Sequence, residues 1–247
     1  MATACGNQLT VDDERRKLGL VAGTASEIRA DQPGQAEGGR GVTVTNQPEW
    51  DSAYVAEQPP PWDIGRPQPV FTRLAEQGLL RGRLLDSGCG TGENTMMAAA
   101  HGADALGVDA APAAIAKARG KAAGRGSAAR FEVADVLDLG QLGLTFDTVV
   151  DSGVFHVFDD QDRIRYVASL ASVMRPGATC YLLCFSDRQP GTMGPRRISR
   201  AEITAAFRGG WDIRGIEAET FEVNFMGESQ AQAWLATIGR SAAGPGG

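Results

Sequence analysis

Clusters of positive charge are scarce in this chain of 247 residues, in which 30 acidic residues outnumber 24 basic ones. Proteins that bind nucleic acid usually present grouped lysine and arginine side chains, which displace counterions from the phosphates. A formal net charge of -6 therefore argues against an extended nucleic-acid surface. Nucleic acid is not expected as a substrate or as a partner.

Long apolar runs are also missing, although 43% of the residues are hydrophobic. A membrane-spanning helix needs about 18 or more consecutive apolar residues, and no stretch of this sequence reaches that length. The first ten residues lack the order of a secretory signal, in which a basic region precedes an apolar one. The sequence thus predicts a packed interior and no membrane association.

Cysteine and histidine are rare, with 4 cysteines and 2 histidines in the whole chain. Cys5, Cys89, Cys180 and Cys184 show neither the spacing of a disulfide framework nor the neighbouring histidines that a zinc site needs. We therefore expect no metal site, buried free thiols and a reducing, cytoplasmic location.

The amino-acid composition of the chain changes twice before a regular pattern of strands and helices begins. Its first part is rich in Gly, Ala, Gln and charge, with one short helical pattern over Asp12–Leu20, and predicts a flexible extension. The next part places Trp50, Tyr54 and Trp62 among prolines, which is typical of irregular backbone that covers another surface. The predicted boundaries are 1–46 for the extension, 47–240 for the main domain with 47–68 as its cover, and 241–247 for a tail.

After the cover, short apolar segments alternate with helical patterns, which is the sequence sign of an α/β fold with a parallel sheet. Strands are predicted at 83–87, 105–109, 129–134, 146–151, 178–185 and 211–218. The segment 233–238 fits either a strand or a helix, and a strand is favoured. Helices are predicted at 92–101, 112–123, 159–174 and 200–207. Ser199 and Glu202 form the pattern of a capping box at the start of the last helix.

The most informative segment is a buried strand that ends in a glycine-rich turn and opens a helix. Gly88, Gly90 and Gly92 recur at every second position, which lets the backbone bend sharply and brings its N–H groups close to a ligand. The nicotinamide fingerprint differs, because its third glycine follows the second by three positions. Asp86, two positions before the first glycine, would meet an ammonium better than a pyrophosphate. The ligand is therefore expected to contain an amino-acid-like head.

Two further acids follow the next two predicted strands. Asp109 ends the second strand, where a carboxylate can accept hydrogen bonds from both hydroxyls of a ribose. Asp135 follows the third strand, where it can accept a hydrogen bond from a purine amine while Val136 offers its N–H to the ring. Together with Asp86, these acids describe a nucleoside joined to an amino acid.

These motifs, with Phe146-Asp-Thr-Val-Val-Asp151 and Arg175-Pro-Gly177, resemble the ordered motifs of class I S-adenosylmethionine-dependent methyltransferases. The resemblance covers about residues 47–240. It implies a three-layer, Rossmann-like α/β sandwich with a mostly parallel seven-stranded sheet, and S-adenosylmethionine as the cofactor.

The segment from Trp50 to Arg66, which contains Pro61-Trp-Asp63, resembles the thiopurine, halide and thiol methyltransferase group. It is similar above all to the bacterial heterocyclic toxin methyltransferases, which methylate planar heterocycles bearing a hydroxyl. The resemblance implies methyl transfer to an O, N or S atom of a small aromatic or heterocyclic metabolite. The cofactor-binding residues that follow are Trp50, Tyr54, Trp62, Asp86, Gly88, Gly90, Asp109, Asp135, Val136 and Asp151.

His156, which follows the fourth predicted strand, is the candidate catalytic residue. It lies at the carboxyl end of the sheet, beside the expected methyl group. There it either acts as a base on a heterocyclic hydroxyl or merely lines the pocket. The predicted apolar wall for the acceptor consists of Phe155, Phe158, Met193, Phe221 and Phe225.

Three other functions stay open from the sequence. A halide or small-thiol methyltransferase would share every cofactor motif and would not need His156. A nicotinamide oxidoreductase is disfavoured by the glycine spacing. A non-catalytic regulator that binds S-adenosylmethionine is disfavoured by the intact set of site residues.

Overall fold

The computed structural model describes residues 47–192, 194–225 and 228–242. The predicted extension over 1–46, its helical pattern at 12–20, Met193 and residues 243–247 of the predicted tail lie outside the described residues.

One sheet forms the centre of the described structure. Its strands are β1 (Arg83–Ser87), β2 (Asp104–Asp109), β3 (Arg130–Val133), β4 (Phe146–Ser152), β5 (Met174–Phe185), β6 (Trp211–Phe225) and β7 (Glu228–Arg240). They lie in the order β3-β2-β1-β4-β5-β7-β6. The first five strands pair in parallel, whereas β7 runs antiparallel between β5 and β6. The predicted, mostly parallel seven-stranded sheet is confirmed.

Helices flank this sheet. The α-helices of the described residues are α1 (Gln47–Val55), α2 (Pro69–Glu76), α3 (Glu93–Ala100), α4 (Pro112–Arg125), α5 (Asp160–Val173) and α6 (Arg200–Ala206). Two 3-10 helices span Val136–Leu142 and Phe155–Val157. The capping box is present, since the Ser199 hydroxyl accepts from the Glu202 N–H and the Glu202 carboxylate accepts from the Ser199 N–H.

The helices α1 and α2 were not predicted from the sequence. Prolines crowd this segment and interrupt any helical period, but Pro69 lies at the first turn of α2. A proline is tolerated there because the first N–H groups of a helix have no partner within the helix. Val70, Phe71 and Leu74 then bury one side of α2.

Adjacent side chains of a strand point to opposite faces of a sheet, and β1 shows how this builds two apolar layers. Leu84 packs with Phe71 and Leu183, whereas Leu85 packs with Val149 and Leu170 on the other face. All six side chains are almost wholly buried. The site acids therefore stand at the end of a sheet that is covered by helices on both sides.

The last two strands are much longer than predicted. The predicted segments 211–218 and 233–238 lie inside β6 and β7, which pair with each other as far as Phe225 and Glu228. Strand β5 pairs with β7 only from Ala233 onward. The part of the β6–β7 hairpin beyond that point, residues 220–225 and 228–231, is here called the hairpin arm. It projects past the carboxyl end of β5.

Among the described residues, no helix combines the length and the apolar character that a membrane crossing requires. The described Cys89, Cys180 and Cys184 are all buried free thiols.

Candidate functional site

The glycine-rich turn joins β1 to α3 at the carboxyl end of the sheet. Gly88 has a φ of 71°, in the left-handed region that favours glycine. A Cβ at this position would lie 2.1 Å from Cγ2 of Val154, in the turn after β4. The two turns can approach each other this closely only because residue 88 has no side chain.

Asp109, the last residue of β2, fixes the shape of this turn. Its Oδ2 accepts the N–H of Gly90 at 2.8 Å, and its Oδ1 accepts the N–H of Ala111 at 2.9 Å. The side chain is buried, and burial raises the pKa of its carboxyl group, while the backbone donors oppose that shift. Each carboxylate oxygen has a second lone pair, which is available to a hydroxyl of a ligand.

Asp86, near the end of β1, is fully buried and only half satisfied. Thr95 donates to its Oδ2 at 2.6 Å, whereas its Oδ1 has no hydrogen-bond partner among the described residues. Burial raises the pKa of this carboxyl group to about 7, against the hydrogen bond from Thr95. Leaving such an oxygen unpaired costs about 1–3 kcal/mol or more, so the position suits a ligand that brings a donor.

Asp135 lies at the end of β3 and begins the first 3-10 helix. Its Oδ1 accepts the N–H of Leu137 at 2.9 Å, which fixes the carboxyl group as an N-cap. Both Asp135 and Val136 are buried. Their contact with a purine stays a prediction.

Asp151, in β4, is fully buried and fully hydrogen-bonded. Its Oδ1 accepts the N–H of Val154 at 2.8 Å. Its Oδ2 accepts the N–H of Phe155 at 3.1 Å and the hydroxyl of Tyr166 at 3.0 Å. These bonds hold the turn that approaches Gly88. The geometry therefore favours a structural role for Asp151 over the predicted cofactor contact.

Three aromatic side chains of the predicted cover come together above the glycine-rich turn. Tyr54 is buried and packs with Ala111 at the start of α4, and Trp50 and Trp62 pack against the same cluster. The indole N–H of Trp62 donates to the Tyr54 hydroxyl at 2.9 Å. A Cβ on Gly90 would lie 2.9 Å from that hydroxyl oxygen. The cover thus lies directly on the turn.

Polar contacts fasten the cover to the glycine-rich turn and the helix behind it. The Thr91 hydroxyl donates to Oδ2 of Asp63 at 3.0 Å and accepts from Nζ of Lys121 at 2.7 Å. The N–H of Gln68 donates to Oδ1 of Asn94 at 2.9 Å. In addition, the N–H of Ala113 in α4 donates to Oδ1 of Asp51 at 2.7 Å, so the cover has fixed partners in α3, in α4 and in the turn that precedes α3.

The cover also binds the hairpin arm. The buried amide side chain of Gln68 donates to the carbonyl of Glu222 and accepts the N–H of the same residue, both at 2.9 Å. The N–H of Asn224 donates to the carbonyl of Pro61 at 2.7 Å. Nothing in the sequence pattern indicates these contacts, because they join segments that are far apart along the chain.

An open cleft lies between the cover and the glycine-rich turn. Aromatic and polar side chains meet at its wall. The lining includes Tyr54, Trp62, Asp63, Arg66, Gln68, Gly88, Gly90, Asn94, Ser152 and Phe221. The cleft is therefore built by the glycine-rich turn, the cover, the end of β4 and the hairpin arm.

His156 lies in the second 3-10 helix and is buried against two phenylalanines. Its ring centroid is 5.1 Å from that of Phe185 and 6.0 Å from that of Phe221. The backbone N–H of Phe185 donates to Nδ1 of His156 at 3.0 Å. Burial, followed by the charge of Arg197, lowers the pKa of the imidazole to about 3. The hydrogen bond to Nδ1 and the lowered pKa both argue against the predicted role of His156 as a catalytic base.

The predicted acceptor wall is corrected by the structure. Phe221 lines the cleft, but Phe155 is fully buried and stacks on Phe207 with centroids 5.8 Å apart. Phe158 packs against Tyr166 at 5.2 Å. The 3-10 helix turns these two rings toward the core, and an apolar run alone does not reveal that. The side chain of Phe225 and all of Met193 lie outside the described part of the chain.

Comparison with known proteins gives three results. Residues 84–177 match a family described as a methyltransferase domain. A 2-heptyl-1-hydroxyquinolin-4(1H)-one methyltransferase of Mycobacteroides abscessus is 34% identical over 192 residues, which cover 74% of this chain and 85% of that protein. A probable thiol methyltransferase 2 of Arabidopsis thaliana is 26% identical over 155 residues, which cover 62% of this chain and 68% of that protein.

A solved structure shares the fold of this chain. A protein solved in work on the conversion of a disulfide bond into a thioacetal group during echinomycin biosynthesis matches with a TM-score of 0.73. It is 34% identical, and the match covers 80% of this chain and 93% of that one. Identity at this level over most of both chains, on one shared fold, shows that this chain belongs to the S-adenosylmethionine-dependent methyltransferases.

Proposed function

We propose that this methyltransferase acts on the O, N or S atom of a small aromatic or heterocyclic metabolite. The observation that carries the proposal is the aromatic lining of the cleft by Tyr54, Trp62 and Phe221. Phe185 packs behind Phe221, with ring centroids 5.4 Å apart. Flat rings bind well against such edge-to-face pairs. The Mycobacteroides relative is named for a hydroxyquinolinone, which is a planar heterocycle.

We assign the donor site to the glycine-rich turn and the acids around it. In this proposal Asp109 binds the ribose hydroxyls, Asp135 and Val136 hold the adenine, and the unpaired Oδ1 of Asp86 accepts from the ammonium. Gly88 and Gly90 line the cleft, and in this proposal the backbone between them contacts the methionine part. The cover supplies Tyr54, Trp50 and Trp62 as an aromatic roof.

S-Adenosylmethionine brings a methyl group on a sulfonium, which is a good leaving group. The protein therefore has to bind and orient the donor and the acceptor and to exclude water. It does not have to supply strong acid or base chemistry. The buried, largely apolar surroundings of the turn after β4 suit that task.

A second candidate is a halide or small-thiol methyltransferase. The similarity to the Arabidopsis thiol methyltransferase supports it, and so does the absence of a free base in the His156 geometry, since thiolates and halides need none. Such an acceptor would leave the aromatic wall unused.

Turnover of competing acceptors distinguishes the two functions. With S-adenosylmethionine present, 2-heptyl-1-hydroxyquinolin-4(1H)-one or a smaller hydroxylated heterocycle should be methylated with a kcat/KM at least about 100-fold above that for bisulfide or iodide, because the wall contacts act only on a ring. Product and S-adenosylhomocysteine would be measured by mass spectrometry. A preference for bisulfide or iodide would establish the second candidate instead.

The donor affinity should depend on pH through Asp86. In the donor-free protein this carboxyl group is protonated below about pH 7, and its neutral form contributes stability that is lost as the pH rises through that value. The ammonium of the donor requires the carboxylate, so binding should release a proton. The affinity should fall by up to about tenfold per unit as the pH drops below 7, and level off above it.

Calorimetry in buffers of different ionisation enthalpy measures this proton release. Asp86→Asn is the matched variant, in which the affinity should be low and independent of pH from 6 to 8. Asp151 also has a pKa raised to about 7, so a slope that persists in Asp86→Asn would assign the proton to another group.

We also place the protein in the cytoplasm. The support is the state of Cys89, Cys180 and Cys184, which are buried and unpaired and would stay reduced there. The partner in this proposal is a small-molecule acceptor rather than a macromolecule.

A further inference from the structure

His156, Phe185 and Phe221 form a compact group, here called the aromatic corner, at the carboxyl ends of β4 and β5. The three ring centroids lie 5.1, 5.4 and 6.0 Å apart. Nε2 of His156 lies 3.2 Å from the place where a Cβ on Gly153 would stand. Ser152, which precedes Gly153, and Phe221, whose ring lies beside it, both line the cleft. A Cβ on Gly153 would also lie 3.1 Å from Cζ of Phe221, so the glycine leaves Nε2 without a covering side chain next to two residues of the cleft.

The hydrogen bond on the other ring nitrogen fixes where the proton of His156 is. A backbone N–H can only donate, so Nδ1, which receives the N–H of Phe185 at 3.0 Å, must present its lone pair. The neutral ring then carries its proton on Nε2. No group among the described residues shares a hydrogen bond with Nε2. This nitrogen is a donor, and it has no lone pair with which to take a proton.

A positive charge lies next to the aromatic corner. The guanidinium of Arg197 lies over the Phe185 ring, 5.5 Å from its centroid. It is held there by hydrogen bonds to the carbonyl groups of Pro195 at 2.7 Å and Gln189 at 3.3 Å. Among the described groups, Arg197 is the charged one that acts on the His156 imidazole. An N–H donor and a nearby cation together favour an anion.

We propose that the Nε2–H of His156 binds the methyl acceptor as an anion, so that the enzyme selects heterocycles whose hydroxyl or thiol is already ionised near neutral pH. The inference rests on the proposed function and adds that the acceptor binds with a negative charge. The acceptor loses its proton to water before it binds. Its oxygen or sulfur then forms a bond to the methyl carbon, while the carbon–sulfur bond of the donor breaks and its electron pair stays on the donor sulfur.

In this arrangement the Nε2–H of His156 donates a hydrogen bond to one lone pair of the acceptor atom. A second lone pair of that atom forms the bond to the methyl carbon. The imidazole stays neutral throughout, which agrees with its burial. Arg197 contributes through its field and is a positioning residue. The difference from a general base is that the ionisation which limits the reaction belongs to the acceptor and not to the protein.

The pH dependence of kcat/KM separates the two mechanisms. Two hydroxylated heterocycles of the same shape, one carrying a fluorine that lowers its hydroxyl pKa, would be compared at saturating donor. We expect the midpoint of each profile to follow the pKa of its own acceptor. His156→Gln keeps an N–H donor but provides no base. It should lower kcat/KM about tenfold and leave both midpoints in place, whereas His156→Phe should lower it about 100-fold or more.

A measurement without turnover tests the same point. In the complex with S-adenosylhomocysteine, the ultraviolet spectrum of the bound acceptor reports its ionisation. The pKa of the bound acceptor should lie about one unit or more below the free value, which corresponds to tenfold tighter binding of the anion. In His156→Phe the difference should shrink or vanish.

Two neighbouring arginines, Arg197 and Arg196, allow a matched test of whether the positive charge beside the aromatic corner contributes to acceptor binding. Arg197→Met should weaken binding of the anionic acceptor about three- to tenfold, because the positive field is lost. Arg196→Met should not, since Arg196 pairs with Asp160 and Glu202 on the surface at 2.7 and 2.6 Å. Thermal unfolding of both variants checks that the loop is intact.

The outcomes are distinct. One midpoint shared by both acceptors and abolished in His156→Gln would make His156 a base, which would overturn this inference and leave the proposed function standing. Acceptor midpoints that differ as their pKa values do would support it. Failure of the donor-loaded protein to bind or methylate either heterocycle would overturn the proposed function and the inference together.

Discussion

Replacing Asp109 with alanine should weaken S-adenosylmethionine binding by about 100-fold or more, which is the loss expected when two charge-assisted hydrogen bonds are removed. In the structure this carboxylate also accepts the N–H groups of Gly90 and Ala111. The variant therefore loses both the proposed ribose contacts and the bonds that shape the turn. Isothermal calorimetry measures the affinity directly.

Two comparisons separate the ligand contacts from general damage. Asp104→Ala changes the other end of β2, where the side chain is exposed and pairs with Arg83 and Arg130, and should leave the affinity unchanged. Asp109→Asn keeps the shape and one acceptor oxygen, so its affinity should be intermediate. Parent-like affinity in Asp109→Ala would refute the placement of the ribose.

Replacing Gly88 with alanine should be at least as harmful to the proposed donor site. A left-handed φ costs a residue with a Cβ about 1–2 kcal/mol, and overpacking adds about 1–3 kcal/mol. The added carbon would lie 2.1 Å from Cγ2 of Val154, so the two turns must separate. We expect the free energy of unfolding to fall by about 3 kcal/mol and donor binding to fall below detection.

Urea unfolding and calorimetry test this prediction, and Gly102→Ala is its control. Gly102 has a φ of 91° but no heavy atom within 4 Å of its missing Cβ, so only the backbone cost should appear. Adding Val154→Ala to Gly88→Ala should restore part of the loss. Equal losses at positions 88 and 102 would mean that the contact with Val154 contributes nothing.

The sheet was predictable from the sequence because its signals are local. Strand β1 begins and ends at the predicted residues, and the predicted bounds of the next three strands lie within one residue of those of β2, β3 and β4. Buried apolar runs, glycine turns and helix caps lie within a few positions of one another. The positions of Asp86 and Asp109 follow directly, since each is at or near the carboxyl end of a strand.

The rest of the site depends on contacts that no local pattern contains. The proton of His156 is fixed by the N–H of Phe185, which is 29 positions away. The pairing of Gln68 with Glu222 spans 154 positions. Phe155 and Phe221 are both aromatic residues near the site, and only the tertiary fold shows that the first faces the core and the second the cleft.

The amide of Gln68 gives and receives one hydrogen bond with a single residue of β6, as a neighbouring strand would. The side chain of Gln68 thus pairs with β6 as one residue of an additional strand would. Through it, the hairpin arm and the cover form one continuous wall of the cleft. Substitutions in the hairpin arm can therefore reshape the cleft, while Asp86 in β1 and Asp109 in β2 keep their own hydrogen bonds to Thr95 and Gly90.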